Sequence, residues 1–172
     1  MTAWDDIVSR HGRVVWETAW RMLGNHADAL DCYQRAFLDA LEMARRETVR
    51  DWPALLRRLA TVRALDLLRA RYRHARRNEP LGDPSSVVSP EPGPEQRAEA
   101  AELLERLRAA VAELPDRQAE VFCLVALEGM TYRQVADRMK LSTDAVGMLL
   151  GRARKRLRKR LASVESEPER RD

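Results

Sequence analysis

Seven cations crowd the last helical pattern of the chain: Arg152, Arg154, Lys155, Arg156, Arg158, Lys159 and Arg160. No acid falls between Asp144 and Glu165. A face of this kind has almost nothing to neutralise its own field, and the phosphate backbone of a nucleic acid is a fitting counter-charge. A second series in the first half comprises Arg57, Arg58, Arg63, Arg69, Arg71, Arg73, Arg76 and Arg77, with Trp52 and Tyr72 near its ends. Arginine neutralises phosphate, and an aromatic ring offers a stacking surface to an unstacked base. Trp52 or Tyr72 taken singly reads more simply as a core residue. What points to nucleic acid is that both halves of the chain end a helix in a basic run.

The elements that would position the C-terminal series follow from residue chemistry. Val121, Leu124, Val125 and Leu127 recur at helical spacing after Pro115, and Gly129 can take the left-handed conformation that stops a helix near Glu128. Thr131 and Gln134 form a capping box that opens a short second helix, with Val135, Ala136 and Met139 on its inner face. Lys140-Leu141-Ser142 has the length and polarity of a tight turn, and Ser142 suits the cap of a third helix. There Val146, Leu149 or Leu150, Ala153 and Leu157 mark the apolar stripe, leaving Thr143, Asp144, Arg152, Lys155 and Arg156 to point elsewhere. A helix so placed fits the major groove, with early residues near base edges and later cations near phosphates. The alternative is an ordinary three-helix core whose charges form a solvated face.

The first half has its own pattern. Trp4, Ile7, Val8, His11, Val14, Val15, Ala19 and Met22 follow a helical repeat that Gly24-Asn25 stops. A second helix is expected from about Asp28 with the apolar face Leu30, Tyr33, Phe37 and Leu41. A third is expected from about Pro53, cored by Leu55, Leu56, Leu59, Val62, Leu65 and Leu68.

Composition agrees with an all-helical protein: 45% of the 172 residues are apolar, 34% charged and 5% aromatic, with only seven glycines. Residues 79–97 contain five of the eight prolines, interleaved with serine and glycine, and read as an extended, mobile linker. The expected organisation is therefore two small all-α domains, 1–78 and 98–162, on that tether, with a disordered tail at 163–172. The net charge of +4 is modest because acids and bases are segregated. No apolar run is long enough to cross a bilayer, and the acidic N-terminal stretch is unlike a signal peptide, so no membrane insertion and a cytoplasmic location are expected.

The same residues argue against an enzyme. His11, His26 and His74 lie on different helices or turns, no glycine-rich phosphate loop exists, and no acid pair is supported by a nearby nucleophile. Cys32 and Cys123 have no cysteine or histidine partner at metal spacing and read as reduced core thiols. No catalytic residue, metal or cofactor is expected.

The whole now resembles the extracytoplasmic-function sigma factors, the compact two-domain class of the bacterial sigma-70 family. In the first domain the similar strings are Arg21-Met-Leu-Gly-Asn, Ala27-Asp-Ala-Leu-Asp-Cys-Tyr-Gln-Arg-Ala-Phe-Leu, then Trp52 and Leu59-Ala-Thr-Val-Arg-Ala-Leu-Asp-Leu-Leu-Arg. In the second they are Leu114-Pro-Asp-Arg-Gln, Leu127-Glu-Gly-Met-Thr-Tyr-Arg-Gln-Val-Ala and Arg152-Ala-Arg-Lys-Arg-Leu. The resemblance implies a sigma region 2-like bundle and a sigma region 4-like helix-turn-helix that bind core RNA polymerase and promoter DNA. It implies that Asp31, Gln34, Arg35 and Phe37 dock on the clamp coiled coil, with the flap as a second polymerase contact. Trp52, Arg58, Val62, Arg63, Asp66, Arg69, Arg71 and Arg73 would recognise and open the minus-ten element, holding a flipped base. Thr143, Asp144, Arg152, Arg154, Lys155 and Arg156 would bind the minus-thirty-five element. The linker would thread toward the RNA exit path, and an anti-sigma factor is a further expected partner.

Two positions and one short stretch depart from the family pattern. Leu30 stands where an acid is usual, and Val62 where asparagine is frequent. Gly147-Met148-Leu149 replaces the basic and hydroxyl side chains commonly presented to the promoter. The expectation is upstream binding chiefly through phosphates, steeply salt-dependent, with Arg152 the best remaining base reader. Met148 and Leu149 alternatively suit a protein interface. A conventional helix-turn-helix regulator, independent of core polymerase, would explain the second domain but would call for a sensing or dimerisation domain where a basic helix stands.

Overall fold

The computed structural model describes residues 3–77 and 94–165, with side chains for 4–77 and 97–162. Every described element is helical: α1 Ala3–Leu23, α2 His26–Arg46, α3 Trp52–Arg76, α4 Pro94–Ala112, α5 Asp116–Phe122, α6 Tyr132–Met139 and α7 Thr143–Glu165. A π-helical turn, Cys123–Leu127, continues α5.

In the first half, Gly24 takes φ +70° and ends α1. A Cβ there would lie 2.5 Å from the Arg108 guanidinium, so the turn needs glycine on two counts. Asn25 then caps α2, its side chain accepting from the Asp28 N–H at 2.9 Å. Asp51 caps α3 by accepting from the Ala54 N–H at 2.9 Å, and Pro53 sits in the first turn. Both starts fall a residue or two before the expected ones. The three helices bury Val15, Ala19, Met22 and Leu23 against Ala29, Cys32, Ala36, Phe37 and Ala40, and against Leu56, Ala60, Ala64, Leu65 and Leu68.

The inner face of α2 departs from expectation. Leu30 is 40% exposed, and the small residues Ala29, Cys32, Ala36 and Ala40 face inward instead. Small side chains let α2 approach its neighbours closely, which turns the helix away from a stripe chosen by size. Leu59 and Val62 are likewise only half-buried on α3.

The second half matches its pattern closely. Gly129 has φ +65° after the π turn, which the Glu128 N–H closes onto the Cys123 carbonyl at 3.0 Å. The Thr131–Gln134 capping box is formed in both directions. Lys140 adopts the left-handed conformation at φ 53°, and Ser142 accepts from the Ala145 N–H at 3.1 Å to open α7. Leu150 rather than Leu149 completes the buried stripe with Val146, Ala153 and Leu157.

Two boundaries differ from the sequence reading. Residues 94–97, assigned to the linker, open α4, because proline is accepted in a helix's first turn and an Ala/Glu/Leu-rich helical run follows. The remaining linker, 79–93, lies outside the described residues. Residues 163–165, assigned to the tail, continue α7, and 166–172 lie outside the described residues.

The halves do not stand apart. Ala110, Val111, Leu114, Ala119, Cys123, Ala153 and Leu157 join the core of α1–α3, and Ala54 of α3 joins the second core around Val121, Leu124, Met130 and Val135. Hydrogen bonds between helices follow a common logic. The last carbonyls of a helix lack intrahelical donors, and arginines from elsewhere supply them. Arg108 of α4 donates to Met22 O at 2.9 Å, Arg71 of α3 to Leu23 O at 3.1 Å, and Arg69 to Ala112 O, the last residue of α4, at 3.4 Å.

Candidate nucleic-acid interface

On α7 the structure realises the expected geometry. Thr143, Asp144, Arg152, Arg154, Lys155 and Arg156 are all exposed, outside the buried stripe of Val146, Leu150, Ala153 and Leu157. The helix is held from below by the capped turn and by α5 and α6, so its outer face is rigid without using its cations. Arg160, at the far end, is the exception, pairing with Glu113 of α4 at 2.9 Å. Early on the helix the surface is apolar: Met148 is 60% exposed, and a Cβ on Gly147 would meet only the Tyr132 ring edge at 3.5 Å. Tyr132, half-exposed in the first turn of α6, thus flanks this stretch and was not singled out in the sequence. Its place became visible only once the turn set the two helices side by side.

On α3 the expected residues separate into two sets. Asp66 and Arg73 are exposed and Val62 is half-buried beside them. The other cations are engaged within the protein. Arg63 makes a bidentate bond to Asp39 of α2 at 2.5 and 2.8 Å. Arg71 bonds Asp28 at 2.5 Å as well as Leu23 O. Burial pushes the Asp28 carboxyl upward, but the bonds from Arg71 and Asn25 and the Arg71 charge outweigh it and hold it below its usual range. Arg58 pairs with Glu120 of α5 at 2.6 Å, and Arg69 with Asp116 at 2.9 Å. Trp52 is edge-on to Trp4 at 5.9 Å, as a core-side aromatic would be. Tyr72 donates to Glu105 of α4 at 2.9 Å, and burial followed by that carboxylate pushes its phenol up. Sequence spacing identifies cations on one helix but not the acids that another helix brings to them.

On α2, Asp31, Gln34 and Arg35 face outward, with Asp31 and Arg35 forming a loose pair at 3.5 Å. Phe37 does not. It is only 6% exposed and lies against Tyr33 and Trp4, so it supports the face from behind and cannot be its apolar anchor. Leu30 and Leu38, at 40% and 60% exposure, flank Gln34 at four-residue spacing and supply that apolar character instead. Their i, i+8 separation is legible in the sequence, but the stripe of large side chains there places Leu30 inward, whereas the structure leaves it on the surface with Leu38.

Among the described residues no group of three or more histidine, cysteine, aspartate or glutamate side chains is placed to hold a metal ion. No helix there is long and apolar enough to cross a membrane. Cys32 and Cys123 are buried free thiols, pushed up to about 12 chiefly by burial.

Two helical lobes, one ending in a capped helix-turn-helix with an outward cationic helix, define a helical DNA-binding protein. A family model described as Sigma-70 region 2 matches residues 7–74, and one described as Sigma-70, region 4 matches residues 104–157. The chain is 31% identical over 163 residues to the RNA polymerase sigma factor CnrH of Cupriavidus metallidurans, covering 90% of this chain and 84% of that one. It is 29% identical over 167 residues to the ECF RNA polymerase sigma factor SigE of Mycolicibacterium smegmatis, covering 97% of this chain and 65% of that protein's length. Two solved structures share the fold. CnrH in complex with the cytosolic domain of CnrY matches with TM-score 0.58 and 24% identity over 94% of this chain and 88% of that one. The sigma factor RpoE of Bartonella quintana, in complex with the anti-sigma factor NepR, matches with TM-score 0.55 and 19% identity over 91% and 97%. The chain belongs to the sigma-70 family, in its extracytoplasmic-function branch of transcription-initiation factors.

Proposed function

We propose that this protein joins core RNA polymerase in the cytoplasm and directs it to promoters, each lobe taking one promoter element. The observation that carries the upstream half of this reading is the outer face of α7, where Arg152, Arg154, Lys155 and Arg156 are exposed without an acid among them. With Gly147 and Met148 in front of them, these cations bind phosphates and carry little base discrimination.

Asp66, Arg73 and Val62 form the accessible part of the minus-ten surface, and the loop of residues 47–51 lies beside the start of α3. The face of α2 with Leu30, Asp31, Gln34, Arg35 and Leu38 suits docking on the clamp coiled coil, an apolar pair around polar groups being the usual make-up of a helix-on-helix contact. The complexes of CnrH and of RpoE with CnrY and NepR support an anti-sigma partner for this chain as well. No residue is assigned a catalytic role.

In vitro transcription with core polymerase on a randomised promoter library tests this reading. The expected result is promoter-dependent initiation, with selected sequences tightly restricted at the minus-ten element and loosely at the minus-thirty-five. A sharp requirement upstream would overturn phosphate-led binding, and no initiation would overturn the sigma-factor reading.

A further inference from the structure

Met148 stands on α7 where the fold has no use for it. At about 3.6 residues per turn, a position two residues from both Val146 and Leu150 lies on the far side of the helix from the buried stripe. Its side chain is 60% exposed, and on α5 to α7 only Tyr132 among the described large apolar side chains is exposed as well. Helix propensity does not explain the choice, because lysine, glutamine and glutamate form helices as readily as methionine. Asp144 precedes it on the same face by one turn, and Gly151, Arg152 and Lys155 follow it there. A Cβ at Gly151 would meet nothing within 4 Å, so no neighbour on that side shields the thioether. Met148 is thus an apolar tip in front of a band of cations, with no acid after it on the helix before Glu165.

That band selects what covers the tip. An apolar protein surface would have to desolvate the cations along with the methionine, whereas a duplex offers phosphates to the cations and an apolar group to the methionine. In the major groove the one apolar group that base pairs display is the C5-methyl of thymine. We propose that Met148 is the specificity-determining residue of α7, seating its thioether on the C5-methyl of one thymine in the upstream promoter element while the cations beyond it hold phosphates. Methionine suits such a contact because its unbranched, polarizable chain adapts to a methyl group without a fixed hydrogen-bond geometry. The discrimination is small: sheltering one methyl group from water is worth about fourfold in affinity, which fits a loosely restricted element. This contact rests on the reading of α7 as the upstream DNA-binding helix, and its test keeps the two apart.

The test uses the holoenzyme formed by the full-length chain and core polymerase, on a promoter selected from the randomised library. Each upstream thymine is replaced in turn by deoxyuridine, which removes the C5-methyl and nothing else, and relative affinities are measured by competition at two salt concentrations. For the wild-type chain one position is expected to lose about fourfold, by the same factor at both salts because the lost contact is apolar. Met148→Ala should bind the thymine and uracil duplexes alike, and Met148→Leu, still apolar, should keep most of the preference. Urea midpoints of both variants should match the wild type, since the side chain lies outside both cores. If no upstream position is sensitive to its methyl in a holoenzyme that still initiates at the promoter, the Met148 contact is overturned and the promoter reading stands. A methyl effect that survives in Met148→Ala assigns the thymine to another residue and overturns the contact equally. Weaker assembly of Met148→Ala with polymerase, with no methyl effect in the wild type, gives the tip to a protein partner instead. Should the wild-type chain form no promoter-dependent holoenzyme, the promoter reading falls and the contact with it.

Discussion

Helices α3 and α7 each carry seven lysines and arginines, yet the two sets have opposite fates. On α3, Arg58, Arg63, Arg69 and Arg71 each meet a carboxylate, and two of them, Arg69 and Arg71, also bond the last carbonyl of another helix. On α7, Arg152, Arg154, Lys155 and Arg156 project into solvent from a helix whose stability comes from Val146, Leu150, Ala153 and Leu157 beneath. Identical chemistry thus serves folding in one place and ligand attraction in the other. What differs is the neighbourhood: α3 faces α1, α2, α4 and α5, whereas the outer half of α7 faces no other described element. A basic run in a sequence is evidence for nucleic-acid binding only to the extent that its helix is peripheral.

The strongest way to break this comparison is to reverse charge on the solvent-facing set. Arg152→Glu/Arg156→Glu should weaken binding to duplex promoter DNA by about 100-fold at moderate salt and flatten the salt dependence, because repelled phosphates replace neutralised ones. The denaturation midpoint should hardly move, since neither side chain has a partner among the described residues. Fluorescence anisotropy across a salt series and urea unfolding of the same samples read both outcomes. A large drop in stability would show that α7 cations also serve folding and would erase the contrast.

The complementary change lies at the seam between the lobes. Glu128→Ala removes a carboxylate at 3% exposure and leaves the buried Thr18 hydroxyl without its acceptor. It should cost about 2 kcal/mol of unfolding free energy, the range for losing a buried, charge-assisted hydrogen bond. Urea unfolding checks it, and a loss below a few tenths would mean that the pair is merely a surface one.

These contrasts also explain what was legible beforehand. The helix-turn-helix was readable because its determinants are local: Gly129, the Thr131–Gln134 box, Ser142 and a short-period apolar stripe all act within a few residues. Exposure of the α7 cations followed from that stripe. The roles of Arg58, Arg63, Arg69 and Arg71 were not readable, because their partners Glu120, Asp39, Asp116 and Asp28 lie 24 to 62 residues away and no local pattern encodes the pairing. The face of α2 was misjudged for a related reason. Ranking by side-chain size placed Leu30 inside, while close helix packing chose Ala29 and Cys32. The joining of the two lobes was hidden by the linker, whose composition speaks for freedom of the chain and says nothing of the surfaces at its ends.

A smaller effect sharpens the picture of α7 as a helix kept for its surface. Gly147 has helical backbone and a would-be Cβ contact of only 3.5 Å to Tyr132, an ordinary van der Waals distance, so packing does not demand glycine. Gly147→Ala should therefore stabilise the protein by about 0.8 kcal/mol, the propensity difference at an interior helix position. DNA affinity should stay within about twofold, because a methyl group adds no phosphate contact. Destabilisation on thermal or urea unfolding would show that the Tyr132 ring cannot yield and that glycine is needed there after all.

The smallest expected effect probes α3 through acid titration. The Asp28 carboxyl is held below the usual aspartate range: burial raises it, and the bonds from Arg71 and Asn25 and the Arg71 charge lower it by more. A carboxylate depressed in the folded state contributes stability that is fully present above its unfolded value and is lost as pH falls through the folded one. The wild-type chain should thus lose this contribution below about pH 4, and Asp28→Asn, which cannot titrate, should lose it at all pH values and show a shallower acid limb. With Asp28 36% exposed, screening keeps the difference near 0.5 kcal/mol. Urea midpoints compared between pH 7 and pH 3 measure it. Should Asp28→Asn leave the pH 7 stability and the acid limb both unchanged, Arg71 would be as uncommitted as Arg152, and the division of labour between α3 and α7 would rest on Arg58, Arg63 and Arg69 alone.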